Sequence, residues 1–222
     1  MVIITGASDG LGLAIAKLLI SKDKKVLSLS RTCPPIKEID WIKTDLLDDL
    51  SIVKSVNTVI ASSNKIEALI NCAAVTSYED TNKITSKELE RMFRTNVTAP
   101  ILLTSRLLDK IKQDGADIVN IGATIALRSG SKDQSVYSTT KWALRGFTQN
   151  LASDLKQTTC RVISFILGAI NSKMHEKETG EPITDPENRM NLDDIAVCLV
   201  QLLELPKNIE VSEIIVNRKI NN

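Results

Sequence analysis

The 222-residue sequence predicts a single α/β domain, a doubly wound parallel β-sheet with helices on both faces. Three observations predict it. Short β-branched apolar runs alternate with longer segments whose apolar residues recur at helical spacing. The runs themselves are almost continuously apolar, as strands buried on both faces are. The segments between them are long enough to serve as the crossovers that parallel strands require.

The runs follow in order. "VIIT" (Val2 to Thr5) comes first, and "LAIAKLLISK" after Gly12 reads as the helix that follows it. "KVLSLS" (Lys25 to Ser30), "DWIKT" (Asp40 to Thr44) and "EALIN" (Glu67 to Asn71) are the next three strands. Long helices are expected around Glu88 to Lys112 and Tyr137 to Gln157, on either side of the strand "DIVNIG" (Asp117 to Gly122). "CRVISFIL" (Cys160 to Leu167) and "EIIVN" (Glu213 to Asn217) complete the set, and between them Leu192, Ile195, Ala196 and Leu199 form one helical stripe. Only "HEKETGEPITDPENR" (His175 to Arg189) breaks the alternation, being polar and carrying two prolines. It predicts a substrate-side loop or lid over residues 172–191 within one domain spanning 1–222, because too little chain follows to build a second core.

Composition narrows the function. With 43% hydrophobic and 25% charged residues the chain has the makeup of an ordinary soluble globule. A net charge of +1, with both signs spread along the chain, gives no field for nucleic acid or for an anionic membrane. The aromatic content of 3% leaves few side chains on which bases could stack. No apolar run approaches the roughly 18 residues of a membrane span, and no leader pattern opens the sequence, so a cytoplasmic protein without nucleic-acid or membrane partners is expected. Cys33, Cys72, Cys160 and Cys198 are too widely spaced for a CxxC site, and the lone His175 cannot build a metal centre, so none is expected. His175 itself lies among charged neighbours and reads as an exposed loop residue.

Two patterns carry chemistry. "TGASDGLGLAIAKLL" sets Gly6, Gly10 and Gly12 at the junction of the first strand and its helix. Glycines there permit positive φ and a close backbone approach, and the amides at the helix N-terminus favour a pyrophosphate. In "SVYSTTKWALRGF", Tyr137 and Lys141 stand one helical turn apart, so their polar ends can reach a common point.

With further motifs in the same order, the chain resembles the short-chain dehydrogenase/reductase superfamily over essentially its whole length. Gly6-x-x-x-Gly10-x-Gly12 has that family's spacing, "TDLLD" offers Asp45 and Leu46 at its adenine contact, and "NCAA" with Asn71 and Ala73 looks like its Asn-Asn-Ala-Gly strand end. "TNVTAP" supplies Asn96, "IVNIGAT" resembles the strand that carries the family's serine, and "LGAINSKM" with Ile170 and Ser172 resembles the segment that holds the nicotinamide. The resemblance implies a Rossmann-type dinucleotide-binding fold. Its cofactor contacts would come from Gly6, Ser8, Asp9, Gly10, Leu11, Gly12, Arg31, Asp45, Leu46, Asn71, Ala73, Lys141, Ile170 and Ser172.

The same resemblance assigns catalysis to Tyr137, Lys141, Asn96 and Thr124. Tyr137 would exchange a proton with the substrate oxygen. A free phenol titrates near pH 10, and lowering it roughly three units, worth about 4 kcal/mol, needs a cation such as Lys141 close by. Lys141 would also serve the nicotinamide ribose, and Asn96 would hold a water linking the lysine to solvent. The family's serine falls on Ala123 when counted from the strand and on Thr124 when counted back from Tyr137, so the hydroxyl role is given to Thr124. Arg31, with no acid at the end of the second strand, favours NADP(H) over NAD(H), although Asp9 stands where many NADP-preferring relatives carry a basic residue. The expected substrate is a small carbonyl or alcohol, met by Val75 to Asp80, by Ile125, Leu127 and Arg128, and by the segment after Gly168. A homodimer or homotetramer through the long helices is expected. The alternative is a catalytically weak dinucleotide-binding regulatory or scaffold protein, prompted by Ala123.

Overall fold

A computed structural model of the chain describes residues 1–127 and 133–219. Among these residues the strands are β1 (Val2–Thr5), β2 (Val26–Ser30), β3 (Ile39–Lys43), β4 (Ala68–Asn71), β5 (Asp117–Ala123), β6 (Val162–Leu167) and β7 (Glu213–Val216). Each lies within two residues of the run that predicts it. They form one sheet in the order β3-β2-β1-β4-β5-β6-β7, with every neighbouring pair parallel. The chain winds outward from β1 to β3, crosses back to β4 and winds outward again. That reversal opens a crevice beyond the C-terminal ends of β1 and β4, where open α/β sheets bind ligands.

Side chains alternate across the sheet and feed two cores. On one face Val2, Ile4, Ile70 and Phe165 pack under α1 (Gly10–Ile20) and α7 (Leu192–Glu204), which contribute Ile15, Leu19, Ile195 and Leu199. On the other, Ile3, Leu69 and Ile118 meet α2 (Asp49–Ala61), α4 (Ala99–Asp114) and α5 (Ser135–Asp154) through Val56, Leu103, Leu107 and Leu151. Each fully buried aliphatic side chain of this kind is worth about 1.5–3 kcal/mol.

Helix ends follow their capping residues. Asp9, Asp48 and Asn191 cap α1, α2 and α7 with side-chain oxygens, and Thr85 caps α3 (Ser86–Phe93). Gly115, left-handed at φ 65°, closes α4. The helix expected over Glu88 to Lys112 is broken: α3 passes through a π-turn at Arg94–Thr98 before α4, and the Ala99 N–H reaches back to the Arg94 carbonyl. Proline supplies part of the reason. Pro100 has no N–H to offer the Asn96 carbonyl four residues earlier, so a regular α-helix cannot be satisfied there.

The N-terminal edge of the sheet is held by charge. Asp117 at the start of β5 accepts the Arg161 guanidinium at 3.0 and 2.6 Å and the Lys207 ammonium at 2.6 Å. Arg161 also donates to the carbonyls of Leu203 and Leu205 at the end of α7, satisfying acceptors that a helix C-terminus leaves open.

The polar segment predicted over 172–191 is an excursion closed at its base. Ile170 and Met190 form a parallel bridge, with Asn171 N–H donating to the Met190 carbonyl at 2.9 Å and Met190 N–H to the Ala169 carbonyl at 3.0 Å. It is not all loop. It carries the short helix α6 (Met174–Thr179), stopped by left-handed Gly180. His175, expected on an exposed loop, lies on this helix, partly buried, with its ring edge-on to Tyr78 at 5.0 Å.

Candidate active site

A cavity of about 520 Å³ lies over the C-terminal ends of the strands and is lined from the turns after β1, β2, β3 and β4 and from the ends of β5 and β6. Its volume is that of a small-molecule or cofactor site. The floor begins at Thr5, whose hydroxyl accepts the N–H groups of Cys72 and Ala73, both at 3.0 Å, and so ties the glycine turn to the loop after β4.

The glycines have distinct tasks. Gly6 has φ 75°, and at Gly12 a Cβ would stand 2.5 Å from the Gly6 carbonyl oxygen, so a side chain there would force the turn off its helix. Gly10, at φ 56°, is different: a Cβ there would meet nothing within 4 Å. The first turn of α1 contains no acid, and its amides end in the cavity beside Gly10. Open space beside a helix N-terminus fits the pyrophosphate of a dinucleotide. Ser8, Asp9 and Leu11 line the same wall, as do Arg31, Asp45, Leu46, Ala73, Ile170 and Ser172.

Tyr137 and Lys141, on the first turns of α5, also face this cavity. Lys141 is buried; its Nζ donates to the Ile121 carbonyl at 2.9 Å and lies 5.7 Å from the centroid of the Tyr137 ring. Burial pushes the Lys141 ammonium down to about 8. Burial, with a smaller push from the nearby Tyr78 phenol, raises Tyr137 well above the ordinary phenol value. The Tyr137 shift thus runs opposite to the depression expected from Lys141, and desolvation of the phenolate sets its direction. Cys72, on the same wall, is raised to about 12 by burial.

Three expected site residues do not line the cavity. The Asn71 amide turns into the core, donating to Asn120 Oδ1 at 2.8 Å, while Asn120 donates to Thr148 on α5. Asn96 is buried with its side chain committed: Oδ1 accepts the Val75 N–H at 2.9 Å, and Nδ2 donates to the Val75 carbonyl and to Thr140 Oγ1. Both amide hydrogens are used, so a water would have to meet the Asn96 carbonyl, the group Pro100 leaves without its α-helical donor. Thr124 opens a short 3-10 turn beyond β5, and Ala123 rather than Thr124 lines the cavity. Of the substrate-side residues, Arg128 lies outside the described residues.

Sequence reasoning missed Arg91, Lys177 and Glu178, all of which line the cavity. Arg91 on α3 holds Glu178 of α6 through two bonds, at 3.0 and 2.8 Å. The only local signal was Glu88 three residues before Arg91, a pair that does form, at 2.7 Å. Among the described residues no cluster of His, Cys, Asp and Glu could hold a metal, all four cysteines are free, and no helix is long and apolar enough to cross a membrane.

Residues 1–182 match the family model of short chain dehydrogenases. An uncharacterized oxidoreductase of Staphylococcus haemolyticus is 28% identical over 229 residues, covering 96% of this chain and 95% of the relative. The closed form of a serine dehydrogenase complexed with NADP+ superimposes with a TM-score of 0.88 at 21% identity, over 97% of this chain and 94% of that one. A short chain dehydrogenase from Leptospira borgpetersenii with bound NAD+ gives 0.84 at 19% identity, over 96% and 89%.

Proposed function

The chain belongs to the short-chain dehydrogenase family of oxidoreductases, and from that premise we propose that it interconverts a small carbonyl compound and its secondary alcohol, with NADP(H) as cofactor and Tyr137 as the proton-exchanging group. One observation carries the proposal: a partly buried phenol and a buried ammonium on α5 share a cavity with an open helix N-terminus at Gly10. A bound nicotinamide supplies or accepts the hydride.

The protein does the rest. Tyr137, kept protonated by burial, gives its proton to a carbonyl oxygen, which suits reduction. Lys141 stabilises the phenolate left behind and has N–H groups beyond the one given to Ile121 for ribose hydroxyls. The Asn96 carbonyl is the acceptor best suited to hold a water that resupplies protons. NADP(H) is preferred because the end of β2 and the turn after it present Ser30, Arg31 and Thr32, with no acid to repel a 2′-phosphate. The substrate enters past Tyr78 and His175, and the residues of 172–191 act as a lid. Trp142, exposed on α5, marks a face for pairing two copies, to be checked by light scattering. The free cysteines are in keeping with a cytoplasmic location.

The test is NADPH oxidation against a panel of ketones, aldehydes and quinones. Turnover that disappears in Tyr137→Phe while dinucleotide binding persists supports the enzyme, and Arg31→Ala should narrow the gap between NADPH and NADH. One observation favours a second reading, a dinucleotide-binding protein of weak catalysis: the wall that would offer a serine hydroxyl offers Ala123. Tight binding by the wild-type chain with no turnover of any panel member would select it.

A further inference from the structure

Asp9 is engaged twice. Its Oδ1 accepts the Gly10 N–H at 2.7 Å, capping α1, and its Oδ2 accepts the Lys177 ammonium of α6 at 2.6 Å. An oxyanion held between a first-turn amide and a lysine is the arrangement in which proteins bind phosphate. Here the anion is the chain's own carboxylate, on the wall of the cavity where Gly10 leaves open space. A dinucleotide phosphate arriving beside that turn would compete with Asp9 for the same cation.

The helix is built to allow the exchange. Lys177's neighbour Glu178 is clasped by Arg91, whose Nη2 also donates to the Thr76 carbonyl at 2.8 Å. α6 is thus anchored through Glu178, and Lys177 can change partner while the helix stays in place. The Lys177–Asp9 side chains are 62% and 44% exposed, a setting in which an ion pair is weakly held. A phosphate, with more charge and more acceptor oxygens than a carboxylate, is the stronger partner. The glycine turn from Gly6 to Gly12 also contains no basic residue of its own, so a cation paired with a phosphate there is supplied from outside it.

We propose that Lys177 is a phosphate ligand of the bound dinucleotide, engaged by Asp9 until a cofactor phosphate displaces that carboxylate. This rests on the dinucleotide reading above and assigns to the lid the charge that the glycine turn lacks. It also reconciles an acid at position 9 with a preference for a cofactor carrying extra phosphate.

Dissociation constants for NADPH and NADH, read from nicotinamide fluorescence at two salt concentrations, test it in four proteins: wild type, Lys177→Gln, Asp9→Asn and the double variant. Asparagine caps helices as well as aspartate does, so α1 is preserved. Lys177→Gln should weaken binding about tenfold and flatten its salt dependence, as loss of a charged hydrogen bond does. Asp9→Asn should tighten it, and the double variant should behave like Lys177→Gln, because no lysine remains to be released. Equal weakening for both dinucleotides identifies the pyrophosphate as the partner; weakening for NADPH alone identifies the 2′-phosphate. A simple strap between lid and turn predicts instead that both single variants weaken binding, and that result overturns the proposal. So does an unchanged Lys177→Gln, or an Asp9→Asn gain that survives intact in the double variant. If the wild-type protein binds neither dinucleotide, the dinucleotide reading itself fails and takes this one with it.

Discussion

The two edges of the sheet bury charge to the same depth and treat it differently. At the N-terminal edge Asp117 and Arg161 are 2% and 3% exposed and face each other, and Asp117 also accepts Lys207. At the C-terminal edge Lys141 is equally buried at 3%, yet among the described residues it has a carbonyl for a partner and no carboxylate. A desolvated, unpaired ammonium destabilises a fold, and a paired one need not. The first edge is organised for stability, whereas the second keeps a buried ammonium without a counter-charge on the wall of the cavity.

Substitutions should separate the two edges. The largest effect belongs to Tyr137→Phe, which should lower turnover about a thousandfold with little change in melting temperature, read by steady-state kinetics and calorimetry on the same sample. Next comes Asp117→Ala, which strands the buried Arg161 and should cost about 3–5 kcal/mol in urea unfolding, while the folded fraction binds dinucleotide normally. Lys141→Met should do the reverse: turnover is lost, and unfolding becomes harder by about 1–3 kcal/mol because a buried charge has gone. If it destabilises the protein, the contrast between the edges is wrong.

A pH series sharpens the same point. Folding lowers the Lys141 pKa to about 8, so between there and about 10.4 the unfolded chain carries a proton that the folded one lacks. Stability from this group therefore rises with pH across that window, and the advantage of Lys141→Met over wild type should shrink between pH 7.5 and 9.5. The smallest effect is expected at the rim of the stable edge. Lys24 and Glu67 pair at 2.6 Å but are 44% and 39% exposed, so Lys24→Ala should shift unfolding by less than about 1 kcal/mol.

What the sequence made legible was what is local. The strands are continuous apolar runs, so their edges could be read to within two residues, and Gly6, Gly10, Gly12, Tyr137 and Lys141 announce themselves by spacing. What escaped depends on distant residues. The direction of Asn71 is set by Asn120, and that of Asn96 by Val75 and Thr140. The pairs Arg91–Glu178 and Asp9–Lys177 join positions 87 and 168 residues apart, and no periodicity marks either partner. The break at Arg94–Thr98 had a local sign in Pro100, which an apolar-stripe reading of the helix passes over. At Ala123 and Thr124 two ways of counting disagreed by one residue, and a single-residue shift at the end of a strand turns a side chain to the other face.

The bridge between Ile170 and Met190 means that the excursion carrying α6 leaves the scaffold and rejoins it at adjoining points. Such a module can be lengthened or exchanged as a cassette without re-threading the sheet, since doubling its length would add only about 0.6 kcal/mol of closure entropy. A new rim for the cavity could thus be grafted onto this scaffold at one doorway.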